Sequence, residues 1–575
     1  MDQIEETHEL NLEVRGMTCD SCAVHVERAL RRVPGVREAA VPGWKSGRAR
    51  VVAEGGINPS ALLASVAEAG YTATVRGTGP APNASLTEPR NHADDGVKPA
   101  QGRDGKHNGG GDFDLMVIGH GSAGFAAAIK GAELGARVAL VGSGRIGGTC
   151  VNVGCVPSKT IIRAMEQVRQ AGDRRFRGVQ TMAGRIDWPE VIGHKDELVN
   201  DMRQKKYIDV LEAYPEITYL EGWARLTGLN GVEIAGKRYT PGKIVIATGA
   251  SPWAPPLPGL AEVGYLDSTS ALDLKELPRS MIVLGGNAVG LELAQVYARA
   301  GSQVTVAELL PRIAPFEDED VSAALTEYLE QEGLRIVPGF ETAKVTRRDG
   351  RFSVTGTKNG AEVVLEAEQI LVATGRRPNT ADMGLDEAGV RLGARGEVLV
   401  NEFLQTHNPF VYAAGDVTGR DMFVYVASYD GMLAVENALA GAARVYDTSD
   451  IPRVTFTDPQ VASAGLTESQ ARERYLQVRV TSLPMSVVPR AQAARDTRGL
   501  VKLVADDATN RLLGIHILAP EAGEMIQAAV LAMRFGITLT QLRETMFPYL
   551  TNAEALKLAV LSFEKDVAKL SCCAG

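Results

Sequence analysis

The chain has 575 residues, a formal net charge of −9 and a pI of about 5.6. This length exceeds what one hydrophobic core usually organises, so it predicts several domains. The mildly acidic balance argues against nucleic-acid and membrane-surface binding, which usually need basic patches. No apolar run approaches the ~18 residues of a membrane span, and the first ten residues lack the order of a signal peptide. We therefore expect a soluble cytoplasmic protein that neither inserts into a membrane nor binds nucleic acid.

The cysteines of the chain occur only in close pairs. All six belong to the pairs Cys19/Cys22, Cys150/Cys155 and Cys572/Cys573. A chain of this size does not need a disulfide framework to stabilise its fold. Chance spacing explains one such pair far more easily than three, so the pairs indicate redox or metal chemistry.

A small N-terminal module, residues 9–76, is the first region with regular patterning. ELNLEV alternates as a strand, and the next apolar positions lie on one helical face, namely Val26, Ala29, Leu30 and Val33. RARVVAE, SALLASVAEAG and YTATV then predict a strand, a helix and a closing strand, which together form a compact α+β domain. Residues 77–111 contain no aromatic residue and only two branched apolar ones, so they predict a flexible linker.

Two units with the order strand, glycine turn, helix and strand follow. In such a turn the glycines permit a tight bend and close backbone approach to a pyrophosphate, which then faces a helix N-terminus. Two units predict two nucleotides bound side by side, as hydride transfer between nucleotides requires. The first unit has Gly119, Gly121 and Gly124, and the second has Gly285 and Gly290 with Asn287 at the middle position. The last stretch of the chain mixes strands and helices and predicts a third domain.

The segment GGTCVNVGCVPSK follows the first unit and contains Cys150 and Cys155 with four residues between them. Placement at a helix N-terminus lowers the pKa of a thiol and favours the thiolate. A structural zinc site would need two further ligands, which this segment does not offer. The glycine turn and the cysteine pair together predict a redox-active disulfide beneath a flavin.

This segment resembles the redox signature of the pyridine nucleotide-disulfide oxidoreductases, which include glutathione reductase, dihydrolipoamide dehydrogenase and mercuric reductase. IVIATGASP, LVATGRRPN and VYAAGDVTG follow in that family's order, so the resemblance covers residues 112–575. It implies FAD and NAD(P)H as cofactors and an α/β fold with two Rossmann-like domains and an α+β dimerisation domain. The implied domains are FAD-binding (112–265 and 386–447), NAD(P)H-binding (266–385) and dimerisation (448–575).

The resemblance also implies roles for single residues. Cys155 would contact the flavin as the charge-transfer thiol, and Cys150 would face the substrate. Lys159 would lie near flavin N5, paired with Glu292, although both side chains also suit a packing role. Asp416 would bind the ribityl or phosphate region of the flavin. The other implied cofactor-binding positions are Gly148, Thr149, Thr248, Gly249 and Arg376.

One position departs from the usual dinucleotide-binding pattern, and a second bears on the choice of coenzyme. Gly142 lies 23 residues after Gly119, where an acid normally holds the adenosine ribose, so that contact is either absent or replaced. Glu308 lies at the same distance from Gly285, and a carboxylate there accepts a ribose 2′-OH and repels a 2′-phosphate, which favours NADH. The resemblance favours NADPH instead, and the positive charge of Arg312 could compensate for the carboxylate of Glu308. The choice between NADH and NADPH therefore stays open.

The C-terminal segment indicates the branch of the family. Disulfide reductases of the family carry a His-Pro whose imidazole accepts and donates the thiol proton. In the segment MFPYLTNAE, Phe547 stands at the histidine position, and His516 lies in an apolar strand pattern typical of a structural histidine. The ending SCCAG resembles mercuric reductases, in which the tail cysteines deliver Hg(II) to the redox cysteines of the other subunit. Cys572 and Cys573 can grasp a soft ion, although two incidental tail thiols are the plain alternative.

Two tyrosines and the N-terminal cysteine pair also match features of the mercuric reductases. Tyr207 and Tyr549 match its metal-site tyrosines, although isolated aromatic residues more often serve packing. The segment GMTCDSC resembles a heavy-metal-associated domain, a small ferredoxin-like βαββαβ fold. Its Cys19 and Cys22 would form an accessible dithiolate that passes soft ions between partners.

These features predict a homodimeric enzyme of the mercuric reductase branch, with active sites shared between subunits. It would reduce thiolate-bound Hg(II) to Hg(0) with electrons from NAD(P)H, through FAD and the cysteine pair. Small thiol complexes, and a mercury transporter as a further donor, would supply the metal. One alternative is an FAD-dependent disulfide reductase of a low-molecular-weight thiol. The other is a metal chaperone whose flavin core serves only as a redox sensor.

Overall fold

The computed structural model describes residues 7–15, 17, 20–31, 33–41, 46–54, 57–69, 71–80, 111–441, 443–475 and 477–569. The chain divides into two compact units, Met1–Lys106 and His107–Gly575. Among the described residues, no helix combines the length and the apolar character needed to cross a membrane.

The described residues of the N-terminal unit form a four-stranded antiparallel sheet with two helices. Its elements are β1 (Thr7–Arg15), α1 (Asp20–Arg31), β2 (Val36–Ala40), β3 (Arg48–Glu54), α2 (Pro59–Glu68) and β4 (Thr72–Pro80), and the strand order is β2-β3-β1-β4. The helical face predicted from the sequence is buried in this unit's core, with Val26 and Leu30 fully inaccessible. The β-α-β-β-α-β order confirms the fold class predicted for this part of the chain.

Strand β4 continues four residues beyond the boundary predicted at residue 76. Thr78 lies opposite Leu10 and Pro80 opposite His8, so the ladder with β1 extends through a segment that composition assigned to the linker. Backbone pairing requires no apolar side chain, which is why composition did not reveal it. Residues 81–110, the rest of the predicted linker, lie outside the described residues.

The larger unit begins with a parallel sheet covered on both faces. Its strand order is β21-β11-β5-β6-β7, in which β21 is Val411–Ala413 from later in the chain, and helix α3 packs on one face. The small antiparallel sheet β10-β9-β8 belongs to the core on the other face. The elements are β5 (Leu115–Ile118), α3 (Ser122–Glu133), β6 (Val138–Gly142), α4 (Gly148–Val153), α5 (Cys155–Gly172), α6 (Trp188–Arg203), α7 (Asp209–Glu212), β7 (Ile217–Glu221), β8 (Ala224–Thr227), β9 (Gly231–Ile234), β10 (Lys237–Tyr239), β11 (Lys243–Ile246), β12 (Ala250–Pro252), α8 (Leu260–Val263) and α9 (Ser268–Leu272).

A second parallel sheet, of order β15-β14-β13-β19, repeats this architecture, and the three-stranded sheet β16-β17-β18 packs against it. The chain then returns to the first sheet, since β21 pairs with β11. The elements are β13 (Ser280–Leu284), α10 (Ala288–Ala300), β14 (Gln303–Glu308), α11 (Glu319–Gln331), β15 (Arg335–Pro338), β16 (Phe340–Arg348), β17 (Arg351–Lys358), β18 (Ala361–Ala367), β19 (Gln369–Val372), β20 (Arg376–Pro378), β21 (Val411–Ala413) and α12 (Val424–Val435).

The last part of the chain forms an antiparallel sheet of order β22-β23-β26-β25-β24, with helices packed on one face. Its elements are β22 (Arg453–Thr455), β23 (Gln460–Gly465), α13 (Glu468–Arg474), β24 (Val478–Pro484), α14 (Pro489–Ala494), β25 (Leu500–Asp506), β26 (Arg511–Ala519), α15 (Ala522–Arg534), α16 (Leu539–Glu544) and α17 (Glu554–Leu561). The two parallel-sheet domains and the separate α+β domain confirm the fold class predicted for the core.

Candidate active site

The first glycine turn joins β5 to α3 with almost no space for side chains. Gly119 has a φ of 118°, and a Cβ placed on it would lie 2.2 Å from the carbonyl oxygen of Ala247. A Cβ on Gly124 would lie 1.8 Å from the carbonyl oxygen of Gly119. Helix α3 therefore begins directly at the carboxyl end of the sheet. Its N-cap residue, Gly121, provides no side-chain cap, which leaves the first N–H groups available to a phosphate.

The second turn, between β13 and α10, has the same construction. A Cβ on Gly290 would lie 2.0 Å from the carbonyl oxygen of Gly285. Asn287 is the N-cap residue of α10, and its side chain makes no capping hydrogen bond. The middle glycine is therefore replaced without closing the helix N-terminus to a ligand.

The carboxylate of Glu308, at the end of β14, is buried beside this second turn. Its Oε2 accepts a hydrogen bond from the backbone N–H of Gly286 at 2.6 Å, and its Oε1 accepts one from Leu310 at 2.7 Å. Arg312 donates from Nη2 to the carbonyl oxygen of Pro315 at 2.8 Å. The acid is thus anchored at the strand end, where a coenzyme ribose binds in folds of this kind.

Cys150 and Cys155 lie on consecutive helices, α4 and α5, as free and partly buried thiols. The residue between the helices, Gly154, caps α5, so Cys155 occupies its first turn. A hydrogen bond from the Cys150 thiol lowers the pKa of Cys155 to about 7, and the charge of Lys159 acts in the same direction against burial. The same hydrogen bond, together with burial, raises the pKa of Cys150. Cys155 is therefore the thiol that loses its proton first, near neutral pH, and Cys150 is the thiol that keeps its proton.

An ion pair fixes Lys159 close to the thiolate. Lys159, one turn beyond Cys155 on α5, donates from Nζ to Glu292 Oε2 of α10 at 2.7 Å. Its Nζ also lies 4.5 Å from the ring centroid of Phe456. The other Glu292 oxygen accepts the backbone N–H of Phe456 at 2.9 Å. One buried carboxylate thus connects the two nucleotide-binding domains and the C-terminal domain.

Asp416 lies in a 3₁₀ turn, Gly415–Thr418, at the carboxyl end of β21. Burial raises its pKa, and Arg376, with Nε 3.9 Å from Asp416 Oδ2, opposes that effect. Arg376 also donates to the carbonyl oxygen of Ala250 and lies 3.5 Å from Thr149 Oγ1. These polar groups surround the carboxyl edge of the first sheet, where α4 begins.

Other positions predicted for cofactor binding lie at the same edge. Thr248 follows β11 and donates from Oγ1 to the carbonyl oxygen of Asn379 at 2.7 Å. Gly249 has a φ of 71° with open space where a Cβ would stand. Gly148, at the start of α4, lies so near the first turn that a Cβ on it would be 2.5 Å from the Cα of Gly121. The cysteine helix and the glycine turn are therefore in direct contact.

Asp430 of α12 is a residue that sequence reasoning missed. It is 1% exposed, and its Oδ2 accepts the backbone N–H of Gly415 at 3.1 Å. Its Oδ1 has no hydrogen-bond partner among the described residues, and burial raises its pKa to about 7. Asp430 thereby holds the turn that presents Asp416. No motif marks it; its apolar surroundings in VYVASYDGMLAV are the signal that could have found it.

Tyr207 lies near the cysteine pair. It belongs to a π-helical turn, Gln204–Ile208, a distortion often found at functional sites. Its ring packs edge-on against Phe125, with centroids 4.9 Å apart. Burial raises its pKa, a hydrogen bond with Ser122 lowers it, and negative charge on the two cysteines raises it further.

The C-terminal domain holds the remaining predicted positions. Tyr549 lies between α16 and α17 and is 49% exposed, whereas Phe547 packs against the domain's core. His516 is buried in β26, with Nε2 3.0 Å from the carbonyl oxygen of Leu466 and 3.2 Å from Asp318 Oδ2. Its partners are structural and belong to two domains, as expected for a histidine inside an apolar strand.

Three of the predicted metal-binding cysteines, Cys19, Cys572 and Cys573, lie outside the described residues. Cys22 belongs to α1 of the N-terminal unit.

The comparisons with known proteins match this architecture. The model of the pyridine nucleotide-disulphide oxidoreductase family matches residues 113–431, and the model of its dimerisation domain matches residues 451–560. The heavy-metal-associated domain matches residues 11–72. A mercuric reductase from Staphylococcus aureus is 42% identical over 564 residues, which cover 98% of this chain and 99% of that protein.

The chain belongs to the mercuric reductases of the pyridine nucleotide-disulphide oxidoreductase family. This confirms the family predicted from the redox signature and the tail. Mercuric reductases from Shigella flexneri and Streptomyces lividans are 41% and 45% identical to it. The Shigella match covers 98% of this chain and 100% of that protein, and the Streptomyces match covers 80% and 98%.

Solved structures resemble the chain as well. An HOCl-induced flavoprotein disulfide reductase from Escherichia coli is 31% identical, with a TM-score of 0.70. Its match covers 79% of this chain and 100% of that chain. A Cu(II) complex of the same reductase gives a TM-score of 0.71, with 78% of this chain and 100% of that chain covered.

The difference in pKa between Cys150 and Cys155 can be tested by removing the charge of Lys159. We expect the thiolate absorbance of the reduced protein to rise with a midpoint near pH 7, and a Cys155→Ser variant to lack that step. Lys159→Met removes a positive charge that favours the thiolate, so the midpoint should move upward toward the usual value of 9.0. Lys237→Met, on an exposed strand, is the control and should leave the midpoint unchanged. An unchanged midpoint in Lys159→Met would contradict the assignment.

Proposed function

We propose that this protein reduces thiolate-bound Hg(II) to Hg(0), with NADH as the electron donor and Cys150 and Cys155 as the metal-reducing pair. The observation that carries the proposal is this asymmetric thiol pair beside Lys159, in a chain that aligns over its length with mercuric reductases. A thiolate is the ligand that a soft ion such as Hg(II) prefers.

The residues at the first sheet suit FAD. The uncapped N-terminus of α3 and the close approach at Gly119 and Gly124 would hold the pyrophosphate. Asp416 would bind the ribityl chain, and Lys159 would lie beside the isoalloxazine. FAD, when bound, supplies the two-electron relay between the nicotinamide coenzyme and the cysteine pair.

The two thiols have different tasks in the exchange. Cys150, which would face the substrate, attacks Hg(II) and passes its proton to the small thiolate that it displaces, so one Hg–S bond forms as another breaks. The Cys155 thiolate then displaces the second small thiolate in the same way. Hg(II) is thereby held by two protein sulfurs without being released into water. Two electrons then reduce it to Hg(0), which leaves the thiolates.

The disulfide reductase alternative requires a base for the thiol proton near the substrate. Phe547 stands at the histidine position of those enzymes and packs against the core of its domain. His516 is committed to Leu466 and Asp318. We therefore favour a metal ion over a disulfide as the substrate.

The proposed active site is shared between the two protomers of a homodimer. A dimerisation domain at residues 451–560 includes Tyr549, which lies on the exposed surface between two helices. We infer that Tyr549, Cys572 and Cys573 of one protomer serve the Cys150/Cys155 pair of its partner, with Tyr207 on the receiving side. Adjacent tail thiols do not readily close a relaxed disulfide, so they remain available for a soft ion.

The N-terminal unit would collect the metal. Its fold and the match to the heavy-metal-associated domain support Cys19 and Cys22 as a transfer site for Hg(II). The donors would be small thiol complexes or a mercury transporter. Transfer between dithiolates only exchanges one Hg–S bond for another, so a tightly bound ion can still move.

Glu308 supports NADH as the preferred coenzyme. Its carboxylate is anchored beside the second glycine turn by two backbone N–H groups. A fixed negative charge at this strand end accepts a ribose 2′-OH and repels a 2′-phosphate. Arg312 donates from Nη2 to the carbonyl oxygen of Pro315, and no ion pair joins it to Glu308 among the described residues.

Metal-dependent coenzyme oxidation tests the function. FAD-loaded protein should oxidise NADH when Hg(II) is added in excess small thiol, and Hg(0) vapour should appear in stoichiometric amount. Cys150→Ala should lower kcat/KM by more than about 100-fold, because the pair acts as a unit. Oxidation that depends on a low-molecular-weight disulfide, without vapour, would favour the disulfide reductase. Metal binding without any NADH oxidation would favour the chaperone.

The coenzyme assignment is tested at Glu308. Glu308→Gln keeps the side-chain shape and removes the charge. We expect kcat/KM for NADPH relative to NADH to rise by about tenfold or more, which corresponds to about 1.4 kcal/mol of lost repulsion. Glu330→Gln, on the exposed side of α11, is the control. An unchanged ratio would show that Glu308 does not select the coenzyme.

A heterodimer tests delivery across the interface. One protomer carries Cys150→Ala and Cys155→Ala, and the other carries Cys572→Ala and Cys573→Ala. Delivery from a tail to the partner leaves one complete site, so about half of the wild-type activity should remain. Delivery within one protomer leaves no complete site, and the heterodimer would then be as inactive as either doubly substituted homodimer.

A further inference from the structure

The carboxyl end of β6 lacks the acid that usually faces an adenosine ribose, and an imidazole occupies the space. A Cβ built on Gly142 would lie 2.1 Å from Nδ1 of His120, 2.4 Å from its Cγ and 2.8 Å from its Cε1. The φ of Gly142 is not in the left-handed region, so its backbone would accept a side chain. The His120 ring alone supplies these closest contacts.

His120 is held firmly at this place. It lies between the glycines of the first turn and is 8% exposed. Its Nδ1 is 3.1 Å from the hydroxyl of Tyr219, and the two rings are nearly parallel, with an interplanar angle of 6°. The Tyr219 hydroxyl also reaches the carbonyl oxygen of Gly142 at 3.4 Å. Nδ1 is thereby engaged, and Nε2 remains for another partner.

The second nucleotide-binding domain shows the opposite arrangement at the equivalent positions. There the turn carries Gly286 and the strand end carries Glu308. A Cβ on Gly286 would lie 3.0 Å from the Cβ of Glu308. Each domain therefore places one polar side chain in the same space, and the neighbouring position is a glycine that makes room for it.

We propose that the His120 imidazole replaces the missing carboxylate and binds a ribose hydroxyl of the FAD adenosine through Nε2. The inference rests on the flavin dependence proposed above and is independent of the substrate that is reduced. A ribose hydroxyl both donates and accepts, so it can pair with Nε2 in either tautomer of the ring. Tyr219 fixes the orientation of the ring.

The charge state of His120 sets the character of this contact. Burial lowers the pKa of His120, so the ring is neutral at neutral pH. A neutral hydrogen bond is weaker than one made by a carboxylate. The contact thus binds a ribose hydroxyl without adding negative charge near the FAD phosphates.

A double substitution separates the chemical role from the space that the ring fills. The dissociation constant of FAD is measured on the apoprotein by quenching of flavin fluorescence. His120→Ser should weaken binding by about tenfold, because one hydrogen bond is lost. Gly142→Glu alone should weaken it by at least about tenfold, because the new side chain meets the imidazole. The double variant His120→Ser/Gly142→Glu should bind FAD at least as tightly as the wild type, because the carboxylate then has space.

His194→Ser changes an exposed histidine on α6 and should leave the FAD dissociation constant unchanged. An unchanged constant in His120→Ser would overturn the inference, as would a double variant no better than Gly142→Glu. Failure of the wild-type apoprotein to bind FAD would overturn the flavin dependence itself, so the two failures are distinguishable.

Discussion

The carboxylate of Glu292 is the constraint on which the redox site depends. It accepts Lys159 from the first nucleotide-binding domain and the N–H of Phe456 from the C-terminal domain, while it belongs to the second. Because Glu292 is 6% exposed, removing Lys159 would leave a desolvated carboxylate without its ion pair, which is costly. The ion pair therefore sets the domain packing, and it also holds the ammonium of Lys159 near the Cys155 sulfur.

The chemistry of the cysteine pair follows from which effect prevails at each sulfur. Burial raises the pKa of both thiols. At Cys155 the hydrogen bond from Cys150 and the charge of Lys159 outweigh burial, so the pKa of Cys155 falls. At Cys150 the same hydrogen bond and burial both raise the pKa, and together they outweigh the charge of Lys159. Cys155 thus loses its proton near neutral pH, and Cys150 keeps a proton that it can pass to a departing thiolate. Two identical residues acquire different roles from their surroundings.

Local signals in the sequence were sufficient for the fold class and for the glycine turns. Gly119 and Gly124 are marked by spacing because Gly119 has a φ of 118° in the turn and a Cβ on Gly124 would meet the carbonyl oxygen of Gly119 within the same strand–turn–helix unit. Asp430 has no such mark, since its partner is the backbone of Gly415, and only the tertiary packing of α12 brings the two together. The tail cysteines present a further difficulty, because their proposed site belongs to another subunit.

The polar side chain expected at position 142 is provided by His120 instead, and this shows why a spacing rule can fail although a polar group still occupies the site. The usual rule places an acid at a fixed distance after the first glycine. What the fold supplies is a small volume between two parallel strands, since Ile118 and Val141 are direct neighbours at the ends of β5 and β6. A side chain from either strand end can fill that volume, but not both, as the 2.1 Å separation shows. Sequence reasoning detected the missing acid at Gly142, and only the adjacency of the two strand ends reveals the residue that takes its place.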